Sequence, residues 1–223
     1  MIANAFDTGA GSLPGEIPIF PLAGALLLPH GHLPLNIFEP RYLNMVEDVL
    51  GKHRLIGMIQ PVTPDTDPIA DDAELFTLGC AGRIVSFEEM DSGRFMISLR
   101  GICRFNVSQE LETIRGYRTV KPDFSPYLDD MAEDNSRVEE RSRMLEAVRK
   151  FFEFRRIEVD WEAIEEAEDE ALVTSLAMIC PFEPSEKQAL LACKNLNDRG
   201  SMLVSLLEMA LLGLTMDTEM LRH

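Results

Sequence analysis

Prolines interrupt the apolar stretches near the start of this chain and limit the secondary structure that they can form. Residues 17–22, which read IPIFPL, and the stretch beginning at Leu33 are rich in β-branched and aromatic residues, and these favour strands. Proline cannot donate a hydrogen bond to a β-ladder, so Pro18, Pro21 and Pro34 restrict such strands to a sheet edge or to a place beside a bend. The sequence therefore predicts two short strands at restricted positions.

A helix is predicted to follow the second strand directly. Pro40 suits the first turn of a helix, where its missing N–H is not needed. The carboxylate of Glu39 would then lie at the positive end of the helix dipole, and Gly51 is a suitable C-terminal stop. The apolar residues at helical spacing between them are Tyr42, Met45, Val46 and Val49.

The remaining pattern up to about residue 125 favours strands and turns. Asp91-Ser92-Gly93 is typical of a hairpin turn, and the proline-rich acidic residues 61–74 are typical of an exposed loop. The further predicted strands are 55–60, Thr77 to Glu88, Phe95 to Leu99, Ile102 to Val107 and Tyr117 to Val120.

The character of the chain changes after Pro126, where helical periodicity replaces alternation. Val138, Leu145, Val148 and Phe152 share one predicted helical face, with Met144 and Phe151 beside it. Further helices are predicted at Leu172 to Ile179, after a capping box formed by Ser185 and Gln188, and at Met202 to Leu214. The predicted fold class is α+β: a frayed N-terminus at 1–15, a β-rich lobe with one helix at 16–125, and an all-helical bundle lobe at 126–220.

Charge and cysteine content restrict the possible partners and the cellular compartment. The formal net charge is −17, and both predicted lobes are acidic, which argues against general binding to phosphate backbones. Four scattered cysteines without a C-x-x-C pair, and an N-terminus without the features of a secretory signal, favour reduced thiols in the cytoplasm. The most apolar stretch, Met202 to Met216, contains Glu208 and is too short to span a bilayer, so no membrane association is expected.

Four stretches in order resemble the Lon protease amino-terminal domain, also called the Lon substrate-binding domain. The resemblance runs from about Glu16 to about Leu214. It implies a PUA-like β lobe followed by a helical bundle, recognition of exposed apolar or unfolded polypeptide, an association with a protease system, and no cofactor. The stretches are 17–22 with 33–43, the glycine-initiated strand 78–84, the hairpin 93–105 and the helix 184–191.

The ATPase and peptidase modules of Lon have no counterpart in this sequence. The ATPase needs G-x-x-x-x-G-K-[ST], and the only Gly-Lys, at Gly51, is followed by His53. The peptidase module of Lon lies C-terminal to that ATPase. The resemblance therefore implies a free-standing, non-enzymatic recognition module.

The candidate peptide-binding residues are Phe38, Glu39, Arg41, Tyr42 and Arg83. Each has a structural interpretation as well. Phe38 is expected to pack in the core, so that its truncation would be costly, and an exposed Phe38 would instead be a binding anchor. Arg41 is expected to form a surface ion pair. The functional interpretation places Arg41 and Tyr42 at the rim of a peptide site.

Two other classes of function remain open. An enzyme could use an unrecognised site of histidines and cysteines, although His30 and His32 lack further ligands at a useful spacing, and the cysteines lie in apolar stretches typical of inert buried thiols. RNA binding is the other alternative, because PUA-like folds can bind RNA.

Two sets of charged residues are also compatible with binding. The arginines at 83, 94, 100 and 104 could form a carboxylate-binding row, or could pair with Glu88 and Glu89. The acidic run from Glu158 to Glu170 could dock a basic partner, although a solvated helix face is the simpler interpretation.

Overall fold

The computed structural model describes residues 13–63, 69–113 and 115–220 of the chain. The expected frayed N-terminus, residues 1–15, lies almost entirely outside this part. The chain divides into two compact units between Glu133 and Asp134. The strands are β1 Ile17–Pro21, β2 His32–Ile37, β3 Leu55–Ile59, β4 Leu78–Glu89, β5 Phe95–Glu110 and β6 Thr119–Asp123. The helices are α1 Pro40–Leu50, the 3₁₀ helix Ser125–Met131, α2 Arg141–Arg155, α3 Trp161–Glu166, α4 Asp169–Ile179, α5 Pro184–Ala192 and α6 Leu196–Met220.

The six strands form one mixed sheet that closes on itself. Their order is β2-β5-β4-β3-β1-β6, and β6 also pairs with β5. The long strand β5 makes this closure possible, because its first half pairs with β2 and its second half pairs with β6. The first unit is thus β-rich with one α-helix and the second is helical, so the predicted α+β class is confirmed.

β1 lies inside the sheet, so the edge, one of the two positions predicted for it, is wrong. It pairs in parallel with β3 and antiparallel with β6. Pro18 is tolerated because the pairing with β6 ends at this residue and the pairing with β3 begins at Ile19. β2, which carries Pro34, pairs only with β5 among the described strands and fits the predicted edge position.

β5 is one strand, where the sequence predicts two with a break near Gly101. The glycine serves close packing and does not interrupt the strand. A Cβ at position 101 would lie 1.9 Å from the carbonyl oxygen of Leu28. The connection between β1 and β2 crosses β5 there, and the backbone of Gly101 exchanges hydrogen bonds with His30 and Gly31 at 3.0 and 2.8 Å.

The core of the first unit fills the inside of the closed sheet. Phe105 is completely buried and contacts the ring of Phe124 at a centroid distance of 6.0 Å. Gly57 and Gly79 leave room for it, because a Cβ on either would come within 3 Å of the Phe105 ring. The other buried members of this cluster are Ile17, Ile19, Leu55, Ile59, Ala81, Cys103 and Val120.

The 3₁₀ helix after β6 belongs to the first unit and moves the boundary beyond the expected residue 125. The Cys103 thiol donates to the carbonyl oxygen of Tyr127 at 3.1 Å. The guanidinium of Arg104 donates to both carboxylate oxygens of Asp130, at 2.8 and 2.7 Å, and stacks over the Tyr127 ring. The sequence predicts an acidic linker from Asp129 to Asn135, but the first residues of this segment belong to the 3₁₀ helix.

The second unit is helical, with several local differences from the sequence prediction. Met144, Ala147, Val148, Phe151 and Phe152 form the buried face of α2, while Leu145 is half-buried and Val138 precedes the helix. The capping box of α5 is formed by Glu183 and Glu186, so the predicted pair Ser185 and Gln188 is wrong. Pro184 is the first helical residue, which places the cap at Glu183, two residues before the serine.

The acidic run from 158 to 170 is partly internal to this unit. The Asp169 carboxylate is buried and accepts hydrogen bonds from the backbone N–H of Val138 and from Arg141. Asp160 caps α3, and Glu165 pairs with Arg149. Much of this charge therefore stabilises local structure.

Candidate functional site

Phe38 is a surface residue, and the expectation that it packs in the core is wrong. Its exposed fraction is 58%. Ile37, the last residue of β2, faces inward opposite Phe95, and alternation along the chain sends the next side chain outward. The Arg94 guanidinium lies over the Phe38 ring at 5.8 Å. Among the described residues of the first unit, the most exposed aromatic side chain thus lies where β2 ends.

Glu39 and Arg41 form an ion pair at the start of α1. The Glu39 carboxylate makes no hydrogen bond that caps the helix, and instead accepts from Arg41 Nε at 2.9 Å. Arg41 also donates to Asp71 at 2.5 Å and to the carbonyl oxygen of Ile69 at 2.8 Å. The predicted ion pair of Arg41 is confirmed. The contacts of Arg41 join residues 69–71 to the start of α1.

Tyr42 is buried between the sheet and the arginine that precedes it. Its ring lies 4.1 Å from the Phe20 ring, and the Arg41 guanidinium stacks 4.7 Å from the centroid. Burial raises the pKa of Tyr42 to about 12, so its hydroxyl remains a hydrogen-bond donor at neutral pH. The predicted helix face of Tyr42, Met45, Val46 and Val49 is confirmed.

Arg83 lies far from the other candidate residues along the sheet. It is half-buried in β4, opposite Leu55 of β3 and Arg100 of β5. Arg100 is in turn opposite His32, at the far end of β2 from Phe38. The rise of roughly 3.3 Å per strand residue places Arg83 on the order of 20 Å from Phe38. The structure brings Phe38, Glu39, Arg41 and Tyr42 together at one junction and separates Arg83 from them.

Two exposed methionines share the sheet face of Phe38 and were not among the predicted site residues. Met96 lies opposite Asn36 of β2 and Glu88 of β4, and all three side chains point outward. The backbone N–H of Met90 donates to the carbonyl oxygen of Arg94 at 2.9 Å, which places Met90 beside the same face. We call Phe38, Met90 and Met96, with Arg94 among them, the outer-face patch. The alternation of Met96 with buried Phe95 and Ile97 was the sequence signal for it.

The predicted arginine row does not act as one surface. Arg104 points to the 3₁₀ helix and pairs with Asp130, whereas the sequence suggested an ion pair with Glu88 or Glu89. Arg94 contacts the Phe38 ring. Arg83 and Arg100 face each other across the β4–β5 ladder.

The histidines and cysteines that the structure describes are not gathered into one cluster. His30 Nε2 lies 3.2 Å from the carbonyl oxygen of Ala132, whereas His32 is exposed on β2. Among the described residues, no group of three or more His, Cys, Asp or Glu side chains could hold a metal ion. Cys80, Cys103 and Cys180 are buried as predicted, but Cys193 is only half-buried.

Thiol titration should distinguish these cysteines. Burial raises the pKa of Cys103 and of Cys180 to about 12, so almost no reactive thiolate forms at neutral pH. We expect one thiol, Cys193, to react first in the native protein, and four thiols to react after denaturation. A Cys193→Ser variant should lose the fastest phase. Rapid reaction of Cys103 or Cys180 in the folded protein would contradict this assignment.

None of the helices in the described part of the chain is both long and apolar enough to cross a membrane.

Curated relatives of this chain are Lon proteases, matched over part of their length. It is 35% identical to Lon protease 2 of Sorangium cellulosum over 93 residues, which covers 41% of this chain and 11% of the relative. It is 33% identical to Lon protease of Parabacteroides distasonis over 125 residues, covering 54% of this chain and 15% of the relative. The match therefore spans a small fraction of each relative.

Solved structures show the same fold over most of the chain. The Lon N-terminal domain protein from Xanthomonas campestris superposes with a TM-score of 0.58 at 20% identity, covering 85% of this chain and 97% of that one. The N-terminal domain of Mycobacterium avium complex Lon protease gives a TM-score of 0.60 at 13% identity, covering 86% and 98%. At these identities the likeness concerns the fold.

The family profile of the ATP-dependent protease La (LON) substrate-binding domain matches residues 16–209, nearly the whole described chain. This match bears out the resemblance of the four sequence stretches. The chain belongs to the ATP-dependent protease La (LON) substrate-binding domain family.

Proposed function

We propose that this chain recognises exposed apolar segments of unfolded polypeptides through the outer-face patch, without catalysing a reaction on them. The single observation that carries the proposal is the exposure of Phe38, Met90 and Met96 on one face of the sheet. Family membership supports a substrate-recognition role. Exposed apolar groups clustered on a folded domain are typical of interaction surfaces.

The chemistry of the patch suits a variable polypeptide. Methionine is flexible and polarisable, so it adapts to side chains of different shape. Phe38 supplies a larger anchor, and Arg94 keeps one side of its ring covered. Such a surface would favour apolar residues without requiring a fixed sequence.

The edge of β2 provides a second means of binding. No other strand within the described residues pairs with the side of β2 that faces away from β5. An extended peptide could add to this edge and place alternate side chains on the outer-face patch. Pro34 would interrupt the added ladder at one position, so the anchors would carry more of the affinity than backbone pairing.

The charge of the chain influences which clients bind. A net charge of −17 would favour clients with basic residues beside apolar anchors and would disfavour RNA and DNA. We place this activity in the cytoplasm, beside a protease system, which fits the absence of a disulfide between any of the four cysteines.

The test is fluorescence anisotropy with a labelled, unfolded peptide that contains basic and apolar residues. We expect a roughly micromolar Kd for the native chain, because a client that becomes ordered on binding loses entropy. Phe38→Ser should weaken binding by ~10-fold or more, as loss of an aromatic anchor does. Salt should weaken binding without abolishing it, since the apolar contacts persist.

Matched controls are Leu128 and Ile179, large apolar residues that are 45% and 66% exposed. Leu128 lies in the same unit as the patch, and Ile179 lies in the other unit. The variants Leu128→Ser and Ile179→Ser should both leave the affinity unchanged. The same titration with double-stranded RNA should give no signal at moderate salt. Tight, steeply salt-dependent RNA binding without peptide binding would favour the nucleic-acid function instead.

A further inference from the structure

A pocket of about 200 Å³ lies beside the first turn of α1, on residues that do not belong to the outer-face patch. Its wall includes Arg41, Tyr42, Asp71, Tyr117 and Arg118. An apolar cavity of about 150 Å³ is large enough to bind benzene, so this pocket can hold a group of leucine size. Its wall combines aromatic rings with two guanidinium groups.

Tyr42 lines this pocket, and its hydroxyl interacts electrostatically with Asp71 and Arg118 of the same wall. The side chain is 4% exposed, and within the described residues its hydroxyl makes no hydrogen bond. Packing against Phe20 and Arg41 holds the ring in place. A buried, oriented donor is thus available to a ligand.

A carboxylate already occupies the position next to this donor. Asp71 accepts from Arg41 at 2.5 Å, yet its side chain is 87% exposed. Arg41 would keep its contacts with Glu39 and the Ile69 carbonyl oxygen if Asp71 moved away. Among the contacts that Arg41 makes, the ion pair with Asp71 is therefore the weakest, since an exposed ion pair contributes little stability.

The other charged groups around the pocket are already paired. Arg118 donates to both oxygens of Glu110, at 2.6 Å each, and to the carbonyl oxygen of Ala73. Tyr117 donates to Asp48 at 2.8 Å. The nearby carboxylates of Glu39, Asp48 and Glu110 are held by Arg41, Tyr117 and Arg118, so a ligand anion would meet Arg41 and Tyr42 once Asp71 leaves.

We propose that this pocket binds an organic carboxylate that carries a small apolar group. The ligand carboxylate replaces Asp71 on Arg41 and accepts a hydrogen bond from the Tyr42 hydroxyl, while its apolar group packs among the tyrosine rings. The free C-terminal residue of a polypeptide and a free small acid share this chemistry. The tyrosine rings of the wall favour such a ligand over inorganic phosphate.

The experiment is an NMR titration of the whole chain with N-acetylleucine, with N-acetylleucine amide as its uncharged counterpart. We expect saturable shifts with the acid and at least ~10-fold weaker binding of the amide, because a hydrogen bond to a charged group is lost. Equal binding of acid and amide, or no binding of the acid, would overturn the proposal.

Two variants test the assigned contacts. Tyr42→Phe removes only the hydroxyl and should weaken acid binding by ~10-fold, whereas the matched Tyr127→Phe should not change it. Asp71→Ala removes the competing carboxylate and should tighten binding by ~2- to 5-fold, whereas Asp72→Ala beside it should have no effect. Unchanged binding in Tyr42→Phe, or weaker binding in Asp71→Ala, would contradict the proposed displacement.

The source of the carboxylate is decided by a short peptide that ends in leucine, compared with its C-terminal amide. Binding of the free-acid peptide identifies a polypeptide terminus as the ligand, and binding of N-acetylleucine alone identifies a small acid. Phe38→Ser should leave both titrations unchanged. Failure of this site and failure of the outer-face patch are therefore separate results.

Discussion

We expect Asp130→Ala to lower the free energy of unfolding of the first unit by ~3–5 kcal/mol, the range for breaking one side of a buried ion pair. The Arg104 and Asp130 side chains are 5% and 10% exposed. Asp130 accepts from two guanidinium nitrogens and from the backbone N–H of Arg104. Its removal leaves a buried cation without a counter-charge.

Urea denaturation followed by circular dichroism measures this change. The single tryptophan, Trp161, lies in the second unit and reports that unit separately by fluorescence. Asp129→Ala is the matched control, because Asp129 is an exposed neighbour of Asp130; it should change stability by less than ~0.5 kcal/mol. A loss in Asp130→Ala no larger than in Asp129→Ala would show that the pair is open to solvent.

We expect Phe105→Ala to cost ~3–5 kcal/mol, because truncation of a fully buried phenylalanine loses transfer energy and leaves a cavity. The ring fills the space above Gly57 and Gly79 at the centre of the closed sheet. Phe38→Ala should cost less than ~1 kcal/mol, because its side chain is already largely in water. The same denaturation experiment compares the two variants.

A double-mutant cycle sharpens this prediction. The three atoms nearest to a Cβ at position 57 would be side-chain atoms of Phe105 and Ile17, at 2.8 to 3.1 Å. Gly57→Ala should therefore destabilise the native chain and cost less in the Phe105→Ala background. Additive effects of the two substitutions would show that the ring does not occupy this space.

The fold class and α1 were predictable because their signals are local. Pro40, Gly51 and the apolar spacing between them suffice to define that helix. The sheet order was not predictable, since Pro18 is compatible with either an edge or a change of partner. Gly101 was mistaken for a break because the close approach of Leu28 depends on a crossing that local sequence does not encode.

The site was harder to predict than the fold. Phe38 follows a buried residue by one position, so its exposure depends on where β2 ends, and a one-residue shift reverses its direction. Met90 is brought beside it by hairpin pairing. Arg83 lies in one of the stretches that resemble the family, yet strand pairing places it level with the start of β2, whereas Phe38 follows the end of β2. Sequence alone does not reveal this separation.

The most direct test of the central claim is photo-crosslinking from the outer-face patch. The photoreactive amino acid p-benzoylphenylalanine replaces Phe38, and in matched variants it replaces Leu128 or Ile179, whose side chains are also exposed. Each variant is irradiated with the unfolded basic-apolar peptide. Recognition through the patch predicts crosslinks from position 38 that unlabelled peptide competes away, and little crosslinking from the other two positions. Equal crosslinking from all three positions, or none from position 38, would contradict it.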